Sequence, residues 1–392
     1  MSSSSTAAET APMTMSHPRA EERLLHLGAG PSAFPIEVLE RARAELITLP
    51  GAGMSPLELS HRSAPFEELL LRAQRAFAAL YGLKAYGGGG EEEHELLLLQ
   101  GGASLQFSMI PLHYGAGGAY INTGTWSTRA LKEARIAWGE EGASEPWSSE
   151  SEGFCRAPVT EQITLKGDEP YLHYTSNNTI YGTQLRAHPA LSCEGVPLVI
   201  DASSDLISRP LDLSRCDLVY GGAQKNAGPA GVTVVMGRPE LLRRAPVERR
   251  CPTTLRYQTH AKSNSLYHTP PTFGVYLVAL VAEWALAQGG LEALNARAER
   301  RAGEVYALLD RYPSLYQGHA SPESRSLMNV TFRLPSPELE ERFLREASAL
   351  RLTGLKGHRS VGGVRASLYN AVTDEAVETL VRHLERFAQA GS

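Results

Sequence analysis

The sequence predicts an α/β protein: a mainly parallel sheet covered by helices on both faces, followed by a smaller α+β unit. Three observations carry this. Between Gly102 and about Met236, short apolar runs rich in β-branched residues alternate with segments of helical character, the pattern of a covered parallel sheet. Two of these runs stop at residues fit for chemistry: Leu198-Val199-Ile200 ends at Asp201, and Asp217-Leu218-Val219-Tyr220 ends in Gly221-Gly222-Ala223-Gln224-Lys225. Open α/β sheets place their ligands at such carboxyl ends. Beyond Gly290 long charged helices alternate with isolated strands, which reads as a separate α+β domain.

In chain order, residues 1–20 are rich in Ser, Thr, Ala and Pro without an apolar core. They fit neither a secretory signal nor an Arg-rich transit peptide, and read as a disordered tail. Residues 35–47 have helical periodicity, and Phe66, Leu69, Leu70, Ala73, Phe77 and Leu80 line one face of a stronger amphipathic helix. Residues 87–93, glycines followed by acids, read as a solvated connection before a strand at 96–99. Residues 139–153 are polar and Ser/Glu-rich, and are expected to be exposed and mobile. The run 273–286 is interrupted by Glu283 and too short for a bilayer; Pro270-Pro271 before it and Gly289-Gly290 after it bound a buried helix. Helices are then expected at 291–309, 337–350 and 374–388, with strands at 328–332 and 364–368.

Composition excludes several function classes. The formal charge of −5, from 38 basic and 43 acidic residues, gives no reason to expect nucleic acid or an anionic membrane as partner. Cys155, Cys193, Cys216 and Cys251 lie far apart with no C-x-x-C pair, against a zinc site or disulfide framework and in keeping with a reducing compartment.

Lys225 stands out by its surroundings. From Gly221 to Gly231 no acid is available to pair with it, and its neighbours are small or polar. An ammonium held in such a site loses hydration, its pKa falls, and the neutral amine becomes a nucleophile toward carbonyls. Pyridoxal 5′-phosphate (PLP) is the commonest aldehyde captured in this way, and it wants an acid against its pyridine nitrogen. Asp201, at a neighbouring strand end, can fill that role. The plain alternative is a loop lysine in water beside an ordinary strand-end acid.

Three further stretches have a chemical reading beside a structural one. Gln100-Gly101-Gly102-Ala103-Ser104 follows a strand and opens a helix, where free backbone N–H groups hold phosphate; it is neither a P-loop nor G-x-G-x-x-G, and is equally an N-capped helix. Trp126, after the Thr123-Gly124-Thr125 turn, can stack on a planar ring or simply join the core. His61-Arg62, and Lys356, His358, Arg359 and Arg365 on a glycine-rich stretch, offer cations for phosphate or carboxylate, or form solvated basic loops.

Together these stretches resemble the phosphoserine aminotransferase family, class V members of the PLP-dependent transferases of fold type I. The resemblance runs in order through AGPS (29–32), SHR (60–62), QGGASLQF (100–107), TGTWS (123–127), SNNTIYGTQ (176–184), DASSDLISRPLD (201–212), GGAQKNAGPAG (221–231), SLYHTPPTF (265–273) and LKGHRSVGGVRASLYNA (355–371). It implies a large PLP-binding domain (21–288) with a mainly parallel seven-stranded sheet and a small C-terminal domain (289–392). It also implies a cytoplasmic homodimer with shared active sites, exchanging the amino group of phosphoserine for that of glutamate in serine biosynthesis, with a vitamin B6 branch left open.

By position, the resemblance gives Lys225 as the residue that holds PLP through a Schiff base and moves the substrate proton, and Asp201 as the partner of the pyridine nitrogen. Trp126 would stack on the ring, with Thr179 beside it. Ala103, Ser104 and Gln224 would bind the phosphate, joined by His268 and Thr269 of a second subunit. Arg365 would take the substrate α-carboxylate, and His61, Arg62, His358 and Arg359 the phosphate or distal carboxylate. Some relatives have Gly-Arg in place of Ala103-Ser104, so phosphate binding here leans on backbone N–H groups and a hydroxyl. Many carry Asn in place of His268. The rivals are another class V aminotransferase of the alanine/serine–glyoxylate type, a PLP-binding protein without turnover, and a nucleotide-binding protein using the Gly101-Gly102 loop.

Overall fold

A computed structural model describes residues 23–87 and 89–390; the tail expected over residues 1–20 lies outside them. Seven strands form the main sheet: β1 (Glu95–Leu99), β2 (Gly118–Asn122), β3 (Ala143–Ser148), β4 (Leu172–Thr175), β5 (Leu198–Asp201), β6 (Leu218–Gly222) and β7 (Thr233–Gly237). Their spatial order is β1-β7-β6-β5-β4-β2-β3, all parallel except β7, which runs against both neighbours. The expected architecture, a mainly parallel seven-stranded sheet with helices on it, is the one observed.

The strands read as continuous apolar runs because both faces are covered. Leu96, Leu98, Ile200, Val219 and Val234 join one core with the helices Ala64–Tyr81 and Thr272–Ala287, while Leu97, Leu99, Val199, Tyr220 and Val235 join another beneath Gly102–Tyr114 and Thr125–Trp138. Neighbouring residues thus alternate between cores with the period of two that a strand imposes. In chain order these helices, with Ile36–Glu45 before them as α1, are α2 (Ala64–Tyr81), α3 (Gly102–Tyr114), α4 (Thr125–Trp138) and α5 (Thr272–Ala287).

One expectation is corrected. Residues 139–153 are not a mobile loop: they carry β3, the sheet's edge strand, paired parallel to β2 between short 3-10 turns. The run Ala143-Ser144-Glu145-Pro146-Trp147-Ser148 looks unlike a strand because only one of its sides is paired. An edge tolerates proline and polar residues that a central strand would not, and Trp147 packs against the core.

At the end of α5 the chain turns through 79° into α6 (Gly290–Arg311), across Gly289 and Gly290 at φ +98° and +76°. Among the described residues no single helix is long and apolar enough to cross a membrane. The C-terminal part adds an antiparallel sheet, β8 (Gln317–Gly318), β9 (Asn329–Arg333) and β10 (Val364–Ser367), with α7 (Pro337–Ala349) and α8 (Asp374–Ala390). Val305, Leu309, Phe332, Phe343, Val364 and Leu384 form its own core, which Leu27 joins from the N-terminal side because Leu25–His26 pairs with Leu352–Thr353. We propose the division into a large and a small domain near residues 288 and 289, with that N-terminal strand lent to the small one.

Candidate active site

The carboxyl ends of β4, β5 and β6 meet at a cavity of about 470 Å³, whose walls include Ser104, Trp126, Thr179, Asp201, Lys225 and Arg365. Asp201 is the last residue of β5, in register with Thr175 of β4 and Tyr220 of β6. Its buried carboxylate accepts at Oδ1 from the Ser203 N–H at 3.0 Å and the Ser203 hydroxyl at 2.6 Å. Burial raises its pKa, and the two Ser203 bonds and the nearby Lys225 charge pull it back. With Oδ1 engaged, Oδ2 is the oxygen left for a group in the cavity.

Lys225 follows β6 in the connection to β7. Its backbone is fixed by the AGPS loop: Ser32 N–H donates to the Gln224 carbonyl at 2.9 Å, and the Ser32 hydroxyl donates to the Lys225 carbonyl. Nζ donates to Thr179 Oγ1 at 2.7 Å. Loss of hydration brings the ammonium down to about 8; Asp201 opposes that shift and Arg365 adds to it. A neutral amine is therefore accessible close to physiological pH, the property that its small, acid-free surroundings predict.

Trp126 is set by the turn that opens α4. Asn122 Oδ1 accepts from the hydroxyls of Ser127 and Thr128, each at 3.0 Å, and Ser127 Oγ accepts from the Thr123 N–H at 2.9 Å. Gly124 is required there: its φ is +150°, and a Cβ would come within 2.7 Å of the Asn178 side chain and Tyr181. The indole thus packs against the core beneath α3 and α4 and also lines the cavity, its ring centre 5.7 Å from Lys225 Nζ. Thr179 lies in the Asn178–Thr183 turn, where Gly182 abuts Thr331 and the Asn329 carbonyl of the C-terminal sheet.

The residues present fit the cofactor that the sequence implies. Helix α3 begins at the cavity, and the first N–H groups of a helix have no partners of their own, so this end suits a phosphate. Trp126 offers a ring face, Asp201 an acid at the sheet end and Lys225 the amine. Trp126 Nε1, Thr175 Oγ1 and Arg365 Nε are buried without a protein partner; Thr175 lines the same cavity.

The opposite wall is cationic and comes from the C-terminal domain. Arg365, on β10, donates to the Thr179 carbonyl at 3.4 Å. His358 lines the cavity beside it, its pKa lowered by desolvation and then by Arg365, Arg359 and Arg129. Among the described residues no acid pairs with these three arginines, and His358 beside them is held toward its neutral form.

The cavity gathers nine of the expected residues: Ala103, Ser104, Trp126, Thr179, Asp201, Gln224, Lys225, His358 and Arg365. Arg359 stands exposed on the loop beside His358. His61 and Arg62, ahead of α2, and His268 and Thr269, ahead of α5, do not line it. Three functional neighbours escaped the sequence reading. Ser203 anchors Asp201, Arg129 stacks its guanidinium 5.0 Å from the Trp126 ring centre, and Tyr369 donates to the Ala29 carbonyl at 3.1 Å. Ser203 and Tyr369 lie within stretches that carry the resemblance, 201–212 and 355–371, but only Ser203 stands in a polar run just after a buried strand, and Arg129 left no trace.

The model of the aminotransferase class-V family matches residues 25–380. A phosphoserine aminotransferase of Lysinibacillus sphaericus is 46% identical over 371 residues, which are 94% of this chain and 99% of that one. The structure of a phosphoserine aminotransferase from Bacillus circulans subsp. alkalophilus superposes with a TM-score of 0.88 at 44% identity, covering 95% of this chain and all (100%) of the other. A PLP-bound phosphoserine aminotransferase of Trichomonas vaginalis superposes with a TM-score of 0.82 at 34% identity, covering 93% and 100%.

Proposed function

The chain belongs to the class-V aminotransferase family, and we propose that within it this protein is a PLP-dependent transaminase for O-phospho-L-serine. The amino group would pass reversibly to 2-oxoglutarate, giving 3-phosphooxypyruvate and L-glutamate, a step of L-serine biosynthesis. The observation that carries this reading is one cavity with an amine drawn to about 8 at its floor and an unpaired cationic wall facing it. The near-complete alignment with enzymes named for phosphoserine selects the substrate.

PLP, when bound, supplies the electron sink that makes the substrate α-hydrogen acidic. The rest falls to the chain. Lys225 Nζ is the base that takes the α-proton and the acid that gives it back, a role suited to an amine whose pKa lies near the working pH. Asp201 would set its carboxylate against the ring nitrogen, and Ser203 holds that carboxylate in place through its N–H and hydroxyl. Trp126 would cover one ring face, while Ser104, Gln224 and the first turn of α3, with Ala103, would hold the phosphate. Arg365, already tied to the Thr179 carbonyl, takes the α-carboxylate common to all amino acids. His358 and Arg359 hold the distal dianion and exclude a neutral side chain from the same place.

We further propose that the enzyme is a cytoplasmic homodimer. His61, Arg62, His268 and Thr269 stand outside the cavity of their own chain, and in a symmetric pair they would complete the cavity of the second copy. An amino-donor panel tests the substrate: phosphoserine and glutamate should exceed serine and alanine in kcat/KM. Equal rates with alanine would end the assignment. Sedimentation tests the assembly, since a fully active monomer is incompatible with shared sites.

A further inference from the structure

The loop that brings His358 to the cavity folds its own backbone around that residue. The Val361 and Gly362 N–H groups both donate to the His358 carbonyl, at 2.9 Å and 2.8 Å. Within this turn the imidazole lies against Ser360. Its Nδ1 is 2.6 Å from the Ser360 hydroxyl oxygen and 3.3 Å from the Ser360 backbone nitrogen, whose N–H donates to it. A backbone N–H can only donate, so Nδ1 must accept and carries no hydrogen of its own. The hydroxyl, facing the same lone pair, donates as well. An imidazole with a bare Nδ1 carries its hydrogen on Nε2 and is neutral.

The surroundings favour the same state. Desolvation holds the ring toward its neutral form, helped by Arg365 from β10, Arg359 on the loop itself and Arg129 from α4. Lys225 lies across the cavity, and behind the loop stand His319 and Arg333, the latter donating to the Val361 carbonyl. Glu340 of α7 reaches the loop at its base, accepting from the Gly363 N–H at 3.2 Å, and does not bear on the ring. His358 lines the cavity and Ser360 does not. Among the described residues Nε2 has no partner, so its N–H is left for whatever enters.

We propose that Ser360 is a positioning residue for substrate selection: by capping Nδ1 it holds His358 as the Nε2–H tautomer, a neutral donor to the distal anion of the substrate. A neutral N–H serves a phosphate and a carboxylate alike, and leaves the matching of charge to the arginines. A ring released from Ser360 would spend part of its time as the other tautomer, which presents a lone pair to the anion and repels it.

This rests on reading the cationic wall as the place of the distal anion, and two measurements on the holoenzyme keep the two claims apart. Nitrogen resonances of isotope-labelled histidine report the tautomer directly, and the signals missing from His358→Gln identify the ring. At about pH 7 the hydrogen should sit on Nε2 with Nδ1 bare. A hydrogen on Nδ1, in a neutral or a charged ring, overturns the proposal. The second measurement is kcat/KM for glutamate divided by that for alanine, a ratio from which Lys225 and the cofactor cancel because both donors use them.

Ser360→Ala should lower this ratio at least about threefold, with alanine itself changed less than about twofold, the scale of one lost hydrogen bond. An Nδ1–H signal should appear in the same variant. Ser360→Thr, which keeps a hydroxyl, should restore both the ratio and the tautomer. Ser360 is exposed, so neither change threatens the fold. An unchanged ratio in Ser360→Ala, or an equal loss with both donors, refutes the role of Ser360. A wild-type ratio near one would sink the reading of the cationic wall, and the selective role of Ser360 with it, even with the hydrogen found on Nε2.

Discussion

The floor of the cavity and its rim handle charge in opposite ways. Four residues after Asp201, Asp205 is fully buried and bound to Arg209, itself buried, with Oδ2 accepting from two guanidinium nitrogens at 3.0 Å and 3.1 Å. Gln184 donates to the same oxygen and Ser176 to Oδ1, and Arg209 spends its other hydrogens on the carbonyls of Leu185 and Arg186. Nothing in that group is left over for a ligand. At the rim, Arg129, Arg359 and Arg365 gather around His358, among the described residues no acid pairs with them, and the buried Nε of Arg365 has no partner there. A matched buried pair holds a shape, whereas an unmatched set repels itself until an anion arrives. The first belongs to the fold and the second to the substrate.

Lys225 lies at the boundary between the two, and its removal should have the largest effect. Lys225→Ala should abolish transamination while leaving secondary structure and non-covalent PLP binding intact, as circular dichroism and analogue titration would show. Surviving activity would mean that another group moves the proton.

Next comes the floor. Asp205→Ala strands the Arg209 guanidinium in the interior, and breaking one partner of a buried pair costs about 3–5 kcal/mol. The urea midpoint at fixed protein concentration should fall accordingly. A midpoint within experimental error of wild type would place Asp205 among the ligand-facing charges.

The rim should behave in reverse. Arg359→Ala should leave thermal stability unchanged, or raise it slightly by relieving repulsion among the arginines around His358. It should cut kcat/KM for phosphoserine and glutamate by about tenfold, equivalent to about 1.4 kcal/mol, with little change for alanine. Arg365→Ala should depress all donors together. If Arg359→Ala harms alanine as much as phosphoserine, the rim is structural and the comparison collapses.

The smallest effect is a dependence on pH. The folded chain lowers Lys225 to about 8, whereas an unfolded lysine titrates at about 10.4. Between those values the unfolded state binds a proton that the folded state has released, so stability of the cofactor-free protein should rise with pH across that window. Lys225→Met should flatten the rise in denaturant midpoint. An identical slope in both proteins would show that the lysine is not desolvated.

Much of this arrangement was legible in the sequence because it sits at strand ends. Asp201 and Lys225 interrupt apolar runs that the sheet buries on both faces, and the glycines ahead of Ser104 mark the start of α3. The C-terminal strand 364–367 and its basic approach stood out for the same reason. What the sequence hid depends on partners far along the chain. The edge strand 143–148 lacks apolar alternation because half of it faces outward. Ser203, Arg129 and Tyr369 look like any serine, arginine or tyrosine until folding brings Asp201, Trp126 and Ala29 beside them. Tyr369 meets Ala29 across 340 residues, a separation no local pattern encodes.

The loop that carries His358 and Arg359 is closed on itself. Lys356 bridges to Val364, Gly357 N–H donates to the Gly363 carbonyl at 2.9 Å, and a Cβ on Gly357 would strike the Gly362 carbonyl oxygen at 1.9 Å. Its tip hangs from a pinned base, and its residues take no part in the small-domain core apart from Leu355 and Val364 at its ends. Recognition and reactivity are therefore separable in inheritance. If, as proposed, residues 358 and 359 grip the distal acid, changes between residues 358 and 362 would alter which acid is gripped while Lys225, Thr179 and Asp201 keep their places, and a lineage would acquire a new amino donor by editing five consecutive codons.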